Sequence, residues 1–333
     1  MENSETTCRN RHCHVLLGGP CEAGEPDFRK CPNFAEDREN GIIDDIQSKD
    51  EGTENETSFV FPWHGSSLGL DDVRFLAARG PLHVVAIFGT YNAGKTTFLS
   101  TLYLLLTNGV KLQAKSFAGS LTLRSWERLA SGLRLPGKRF SPGAYPSFPP
   151  HTQSRNARVP GLLHLAFRDT RDEVKDYLFT DPPGEWFEHW AENENGPMTE
   201  GARWMARHAT TIAIFADSEA LTGPRRGEER QKLSDLMFRL SSSTHRQCVA
   251  LIWTKADIPV KNEIKRRLEA EFHEYFQRRQ TRIFSIAAVP QNEGSKIERG
   301  QGVVEVVNWL TNSTSCRETI DMQVLENIMT FAS

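Results

Sequence analysis

The sequence has no long apolar run. Its best candidate, Phe98 to Leu106, is flanked by polar residues and falls well short of the roughly 18 residues that a helix needs to cross a bilayer. Net charge is also scarce. Lys and Arg number 40 against 43 Asp and Glu, a formal balance of −3, so no global attraction to nucleic acid or to an acidic membrane surface is expected. The opening residues, Met1 to Cys8, lack the basic and apolar regions of a secretory signal, and a cytoplasmic protein is therefore expected. In a reducing compartment, six cysteines do not imply a disulfide framework. A chain of 333 residues accommodates one large domain with a small accessory.

Cysteine is unevenly placed. Cys8, Cys13, Cys21 and Cys31 crowd the front of the chain with His12 and His14, whereas Cys248 and Cys316 are isolated. A segment as short as 1–33 cannot bury enough surface to fold alone, and zinc held by thiolates is a natural staple. The spacing Cys8-x4-Cys13-x7-Cys21-x9-Cys31 lacks the paired C-x2-C knuckles of a strong zinc signal. His14 as a replacement ligand, and cysteines ordered only by a partner, both stay open. Residues 34–67 turn acidic, with Glu36, Asp37, Glu39, Asp44, Asp45, Asp50, Glu51, Glu54 and Glu56, and read as a solvated linker or a partner-recognition element.

The main domain is expected over 68–312. Its organising stretch is Gly89-Thr90-Tyr91-Asn92-Ala93-Gly94-Lys95-Thr96-Thr97, set between the apolar run Leu82–Phe88 and the periodic segment from Phe98. Gly-x4-Gly-Lys-Thr between a strand and a helix is the phosphate-loop pattern. Its glycines let the backbone wrap a polyphosphate with inward N–H groups, and the helix points its positive end at the same charge. Lys95 would reach the β- and γ-phosphates, and Thr96 would give a hydroxyl to Mg²⁺.

Strands and helices then alternate. Leu162–Phe167 and Asp176–Thr180 read as an antiparallel hairpin, Thr210–Ala216 and Cys248–Trp253 as buried strands, and Ile283–Ala288 as a last strand. Helices are expected near Leu68–Ala78, Leu121–Leu133, Gly227–Leu240, Val260–Arg278 and Val303–Leu310, with an amphipathic helix in 313–333 that aligns Ile320, Val324, Leu325, Ile328 and Met329. This order predicts an α/β fold: a mostly parallel sheet with one antiparallel strand, helices on both faces, and ligands at the carboxyl ends of the strands.

Three further stretches fall at those ends. Asp181-Pro182-Pro183-Gly184-Glu185 follows one strand; there Asp181 can hold Mg²⁺, and the Gly184 N–H can sense a γ-phosphate. Thr254-Lys255-Ala256-Asp257 follows another. A carboxylate at Asp257 can accept both the N1–H and the exocyclic amine of guanine, a pair that adenine lacks, while the Lys255 stem covers the base. Ser285, Ile286 and Ala287 end the last strand, where a backbone N–H would touch the guanine oxygen.

Over roughly Pro81 to Leu310 these motifs, in this order, resemble GTPases of the translation-factor-related (TRAFAC) class. The Asp181-Pro182-Pro183-Gly184-Glu185-Trp186 wording and the cysteine-rich front look more narrowly like the bacterial double-GTPase group, which is associated with conflict and defence neighbourhoods. The resemblance implies GTP/GDP and Mg²⁺ as ligands. It also implies a switch threonine within the long interval 108–161, for which Thr152 is the candidate, and a protein partner, either another GTPase or a defence effector. Only one complete motif set is present. Two departures stand out. Thr254 takes the place of the usual asparagine, and Glu185 that of a water-orienting glutamine. A carboxylate beside a γ-phosphate is repelled unless protonated or paired, so slow, partner-dependent turnover is expected, with Lys95, Thr152, Gly184 and Glu185 as the catalytic set. Arg155, Arg158 and Arg171 are candidate sources of transition-state charge. The alternative is a scaffold that holds nucleotide without hydrolysing it and recruits partners through its cysteine-rich segment and C-terminal helix; an ATPase is disfavoured by Asp257.

Overall fold

A computed structural model describes residues 6–8, 34–36, 68–133, 161–196, 199–244, 247–290 and 297–312. The chain divides into two compact units, Met1–Phe59 and Val60–Ser333. In the first, β1 (Thr6–Cys8) pairs antiparallel with β2 (Phe34–Glu36), with Cys8 opposite Phe34. Cys13, Cys21, Cys31, most of the acidic stretch, Thr152, Arg155, Arg158 and the C-terminal amphipathic segment lie outside the described residues.

The second unit runs α1 (Leu70–Ala77), β3 (Leu82–Phe88), α2 (Lys95–Thr107), β4 (Lys115–Gly119), α3 (Leu123–Ser131), β5 (Leu162–Asp169), β6 (Val174–Thr180), α4 (Glu185–Glu192), α5 (Glu200–His208), β7 (Thr211–Asp217), α6 (Arg226–Ser243), β8 (Cys248–Thr254), α7 (Asn262–Tyr275), β9 (Thr281–Ser285) and α8 (Val303–Asn312). Seven strands form one sheet in the order β4-β5-β6-β3-β7-β8-β9. Only β5 runs against the others: it is antiparallel to both β4 and β6, while β6-β3-β7-β8-β9 are mutually parallel.

The central strands are apolar throughout because both of their faces are covered. Their alternation divides the core cleanly. Val85, Ile87, Ala213, Phe215, Ala250 and Ile252 face one cluster with Phe98 and Leu102 of α2, Trp126 of α3 and Val306 of α8. The residues between them, Ala86, Phe88, Ile212, Ile214, Val249 and Leu251, face the other, with Phe187 of α4, Met205 of α5, Leu236 of α6 and Phe272 of α7. A one-residue slip of any central strand would exchange the two sets.

The structure departs from the sequence reading in the flanking elements. β4 was not expected. Its residues, Lys-Ser-Phe-Ala-Gly, are largely exposed and carry no apolar run, and pairing with β5 is what makes them a strand. The last strand occupies Thr281–Ser285 rather than Ile283–Ala288, because the chain turns after the Ile286 N–H donates to Trp253 O (2.8 Å). Trp126 lies on the helix expected over Leu121–Leu133, inside the long interval 108–161. Here it is 0% exposed, its indole donates to His164 O at 3.0 Å, and it stacks on Tyr103. Trp126 is thus a core side chain, although Leu123 of the same helix is 43% exposed. Among the described residues, no helix is long and apolar enough to cross a membrane.

Candidate nucleotide site

The parallel strands β6, β3, β7, β8 and β9 all point their carboxyl ends to one edge, and the segments leaving those ends carry the candidate residues. The loop between β3 and α2 is shaped by left-handed backbone at Asn92 (φ 58°) and Gly94 (φ 81°), the residue that precedes the first turn of α2. Within it, the Lys95 ammonium donates to the carbonyls of Gly89 and Thr90 at 2.8 and 2.9 Å, which folds the side chain back along the loop. Burial pushes this ammonium down to about 8, against the opposing pull of Asp181, Glu185 and Glu188. Ala93 is fully buried in the core and anchors the loop from beneath, while Tyr91 is 48% exposed at its rim.

From β6 comes the next residue. Thr180 closes the strand, its hydroxyl oxygen accepting the Ile87 N–H at 2.9 Å, and Asp181 follows. The Thr96 hydroxyl donates to Asp181 Oδ1 at 2.8 Å, so α2 and β6 bring two hard oxygen ligands together. That donor chemistry fits Mg²⁺, which favours oxygen ligands, commonly one or two from protein with the remainder from water and phosphate. Gly184 approaches so closely that a Cβ there would stand 2.5 Å from Tyr91 N and 2.6 Å from Tyr91 Cα. Only glycine lets this turn meet the phosphate loop. Glu185 opens α4 and is exposed.

Thr254, at the end of β8, lies against the loop from the other side: a Cβ on Gly94 would be 3.7 Å from Thr254 Cβ, and the Thr254 hydroxyl donates to Ala216 O at 3.3 Å. Lys255 adopts φ 51°. Asp257 is buried to 7% exposure. The Ala256 N–H donates to Ile286 O at 3.0 Å, which ties this loop to the Ser285–Ala287 turn. Within that turn the Ile286 N–H is bonded to Trp253 O and the Ala287 N–H to Gln301 O.

Sequence reasoning missed three neighbours. Glu188 of α4 accepts the Tyr91 N–H at 3.3 Å and pairs with Lys232 of α6 at 3.1 Å; Lys232 is raised by its carboxylate partners, Glu228 first. Asp217 and Glu219 hold Lys255. Asp217 was findable, since it ends a buried strand at the edge of the sheet where ligands bind. Glu188 and Glu219 carried no motif. Arg171 lies in the exposed β5–β6 turn, where its N–H donates to Asp169 Oδ1. Thr152 is outside the described residues.

The Double-GTPase 2 family model matches residues 83–310, well over half of the chain and the whole of this site. The chain belongs to the Double-GTPase 2 family. It is thus a GTP-binding P-loop protein in general type, with the mostly parallel sheet already described. Among solved structures it is similar to Era, in a complex with MgGDPNP and nucleotides 1506–1542 of 16S ribosomal RNA, at 18% identity with a TM-score of 0.36. That likeness covers 70% of this chain and 57% of Era, so it spans little more than half of the solved protein. No curated protein sequence matches.

Proposed function

We propose that this member of the Double-GTPase 2 family is a Mg²⁺-dependent molecular switch that hydrolyses GTP to GDP and phosphate, slowly when alone and faster with a protein partner. The observation that carries the reading is the meeting of Thr96 and Asp181 at 2.8 Å beside a buried lysine and a phosphate-wrapping loop.

In this account the backbone of Gly89–Thr97 cradles the phosphates, and Lys95 swings from loop carbonyls to β- and γ-oxygens. Thr96 and Asp181 would hold Mg²⁺, with Thr152 as a further ligand, and the ion would supply positive charge against the charge developing on the phosphates. The Gly184 N–H senses the γ-phosphate. Asp257 reads guanine, Lys255 covers the base, and Thr254 steadies the loop next to Gly94. Ser285, Ile286 and Ala287 would form the far wall of the base pocket, where a backbone N–H would meet the guanine oxygen.

Glu185 governs turnover. Its exposed carboxylate follows directly on Gly184 and would face an incoming γ-phosphate, where like charge opposes approach unless a partner supplies a cation. That same feature favours the second reading, a nucleotide-holding scaffold. Zinc held by Cys8, Cys13, Cys21 and Cys31, a cytoplasmic setting, and a defence role alongside another GTPase or an effector complete the proposal; the likeness to the double-GTPase group supports the last. Single-turnover hydrolysis of GTP with and without Mg²⁺ is the test. Slow, metal-dependent release of phosphate supports the switch, and none over many hours supports the scaffold.

A further inference from the structure

We infer that Asp217 and Glu219 are positioning residues for the nucleotide base: together they fix the Lys255 ammonium so that its aliphatic stem forms a preset platform beside Asp257. The inference rests on the base-covering role proposed for Lys255.

The geometry is a two-carboxylate clamp. Lys255 Nζ lies 2.8 Å from Asp217 Oδ2 and 2.7 Å from Glu219 Oε2. Asp217 is itself oriented in advance, because its Oδ1 accepts the Glu219 N–H at 2.9 Å. The Ser218 N–H donates to Thr254 O at 3.3 Å, so the clamp and the loop it serves share one backbone frame. The Asp217 side chain is 4% exposed, Lys255 12% and Glu219 50%. Charge-assisted hydrogen bonds in such a dry setting are the stronger kind, so Asp217 carries most of the hold and Glu219 a lesser part.

Sheet order gives the clamp its direction. β7 lies between β3, which leads into the phosphate loop, and β8, which leads into Lys255. The Lys255 side chain therefore runs from the end of β8 back toward the end of β7, along the line a nucleotide must follow from phosphate to base. Held there, four methylenes offer a flat apolar rail to a ring. Unheld, a lysine loses several rotors on being ordered, and its left-handed backbone (φ 51°) adds strain of about 1–2 kcal/mol. Clamping before the ligand arrives removes that ordering from the binding step. The rail is indifferent to phosphate number, so its loss weakens GTP and GDP alike.

The test is competition of GTP, GDP and ATP against a fluorescent guanine nucleotide on the full chain. The variants are Asp217→Asn, Glu219→Gln, Lys255→Met and the double Asp217→Asn/Lys255→Met, with melting curves recorded in the absence of nucleotide. Asp217→Asn is expected to weaken GTP and GDP by the same factor, about tenfold. Glu219→Gln, at a half-exposed position that does not threaten folding, is expected to weaken both about threefold. The double variant should bind no more weakly than Lys255→Met alone, since Asp217 acts only through that ammonium. Unchanged affinity in both carboxylate variants, or losses that multiply in the double, would overturn the inference even if GTP still outcompetes ATP. Equal competition by GTP and ATP in the unaltered protein, with the coupling intact, would overturn guanine reading and leave the clamp standing as a general base platform.

Discussion

The Thr96 hydroxyl donates to the Asp181 carboxylate at 2.8 Å, joining the first turn of α2 to the end of β6. Two segments 85 residues apart in sequence thereby share one oxygen pair. Thr96→Ala removes one oxygen ligand, and Asp181→Asn removes the negative charge of the other. Each is expected to shift the Mg²⁺ concentration needed for nucleotide binding upward by about tenfold. Titration of Mg²⁺ against fluorescent nucleotide reads this directly; an unmoved midpoint in both variants would exclude the pair as the metal site.

Gly184 meets the backbone of Tyr91, and an added Cβ would stand 2.5 Å from its nitrogen. Backbone cannot yield as a side-chain tip would, so Gly184→Ala is expected to distort the phosphate loop and weaken nucleotide about tenfold or more. Gly227→Ala is the control. It lies in α6 with nothing within 4 Å of its added Cβ and should leave binding unchanged while stabilising the helix by about 0.5–1 kcal/mol. Equal effects of the two changes on binding would contradict the close-approach argument.

Lys95 has its ammonium lowered to about 8, first by burial. A bound polyphosphate raises it again, because negative charge favours the protonated form. Binding is then independent of pH below about 8 and takes up a proton above it, so affinity should fall by up to tenfold per pH unit above that point. For the nucleotide-free fold the sign is opposite. A lysine depressed below its usual value opposes folding most at low pH, and that penalty lessens as pH rises from about 8 toward 10.5. Isothermal titration at pH 7, 8 and 9 tests the first statement, with Lys95→Met as a pH-independent reference.

Trp126 tests how α3 is held. It is wholly buried, bonded to His164 O, and packed edge-on to Phe179 at 6.1 Å between ring centres. Trp126→Ala is expected to destabilise the fold by about 3–5 kcal/mol, measured by denaturant melting. A loss below about 1 kcal/mol would mean that α3 is loosely attached and free to act as a switch element.

What the sequence made legible follows from where physical constraint is concentrated. β3, β7 and β8 were readable because burial on both faces demands continuous apolar residues, and the phosphate loop because polyphosphate binding demands glycine and lysine at fixed spacing. The place of Thr254 and Asp257 at the end of β8 was readable from the apolar run before them; their role in reading a base is a proposal. β4 was not, since Lys115 to Gly119 become a strand only by pairing with Arg168 and its neighbours on β5. The burial of Trp126 was not legible either, because a lone tryptophan in a polar helix shows no partner until His164 offers it a carbonyl. The clamp on Lys255 was invisible for another reason: Asp217 and Glu219 are 38 and 36 residues away, and only the order β7-β8 brings them to it.

The central claim is guanine specificity through Asp257, buried at the end of β8 beside the Lys255 turn. The most direct measurement is competition of GTP and ATP for a fluorescent guanine nucleotide, in Mg²⁺, on the unaltered protein and on Asp257→Ala. The account predicts that GTP alone competes effectively, and that the variant loses this preference by at least about 100-fold, as expected when a site built to pair with donor groups loses its acceptor. Equal competition by ATP in the unaltered protein would contradict it.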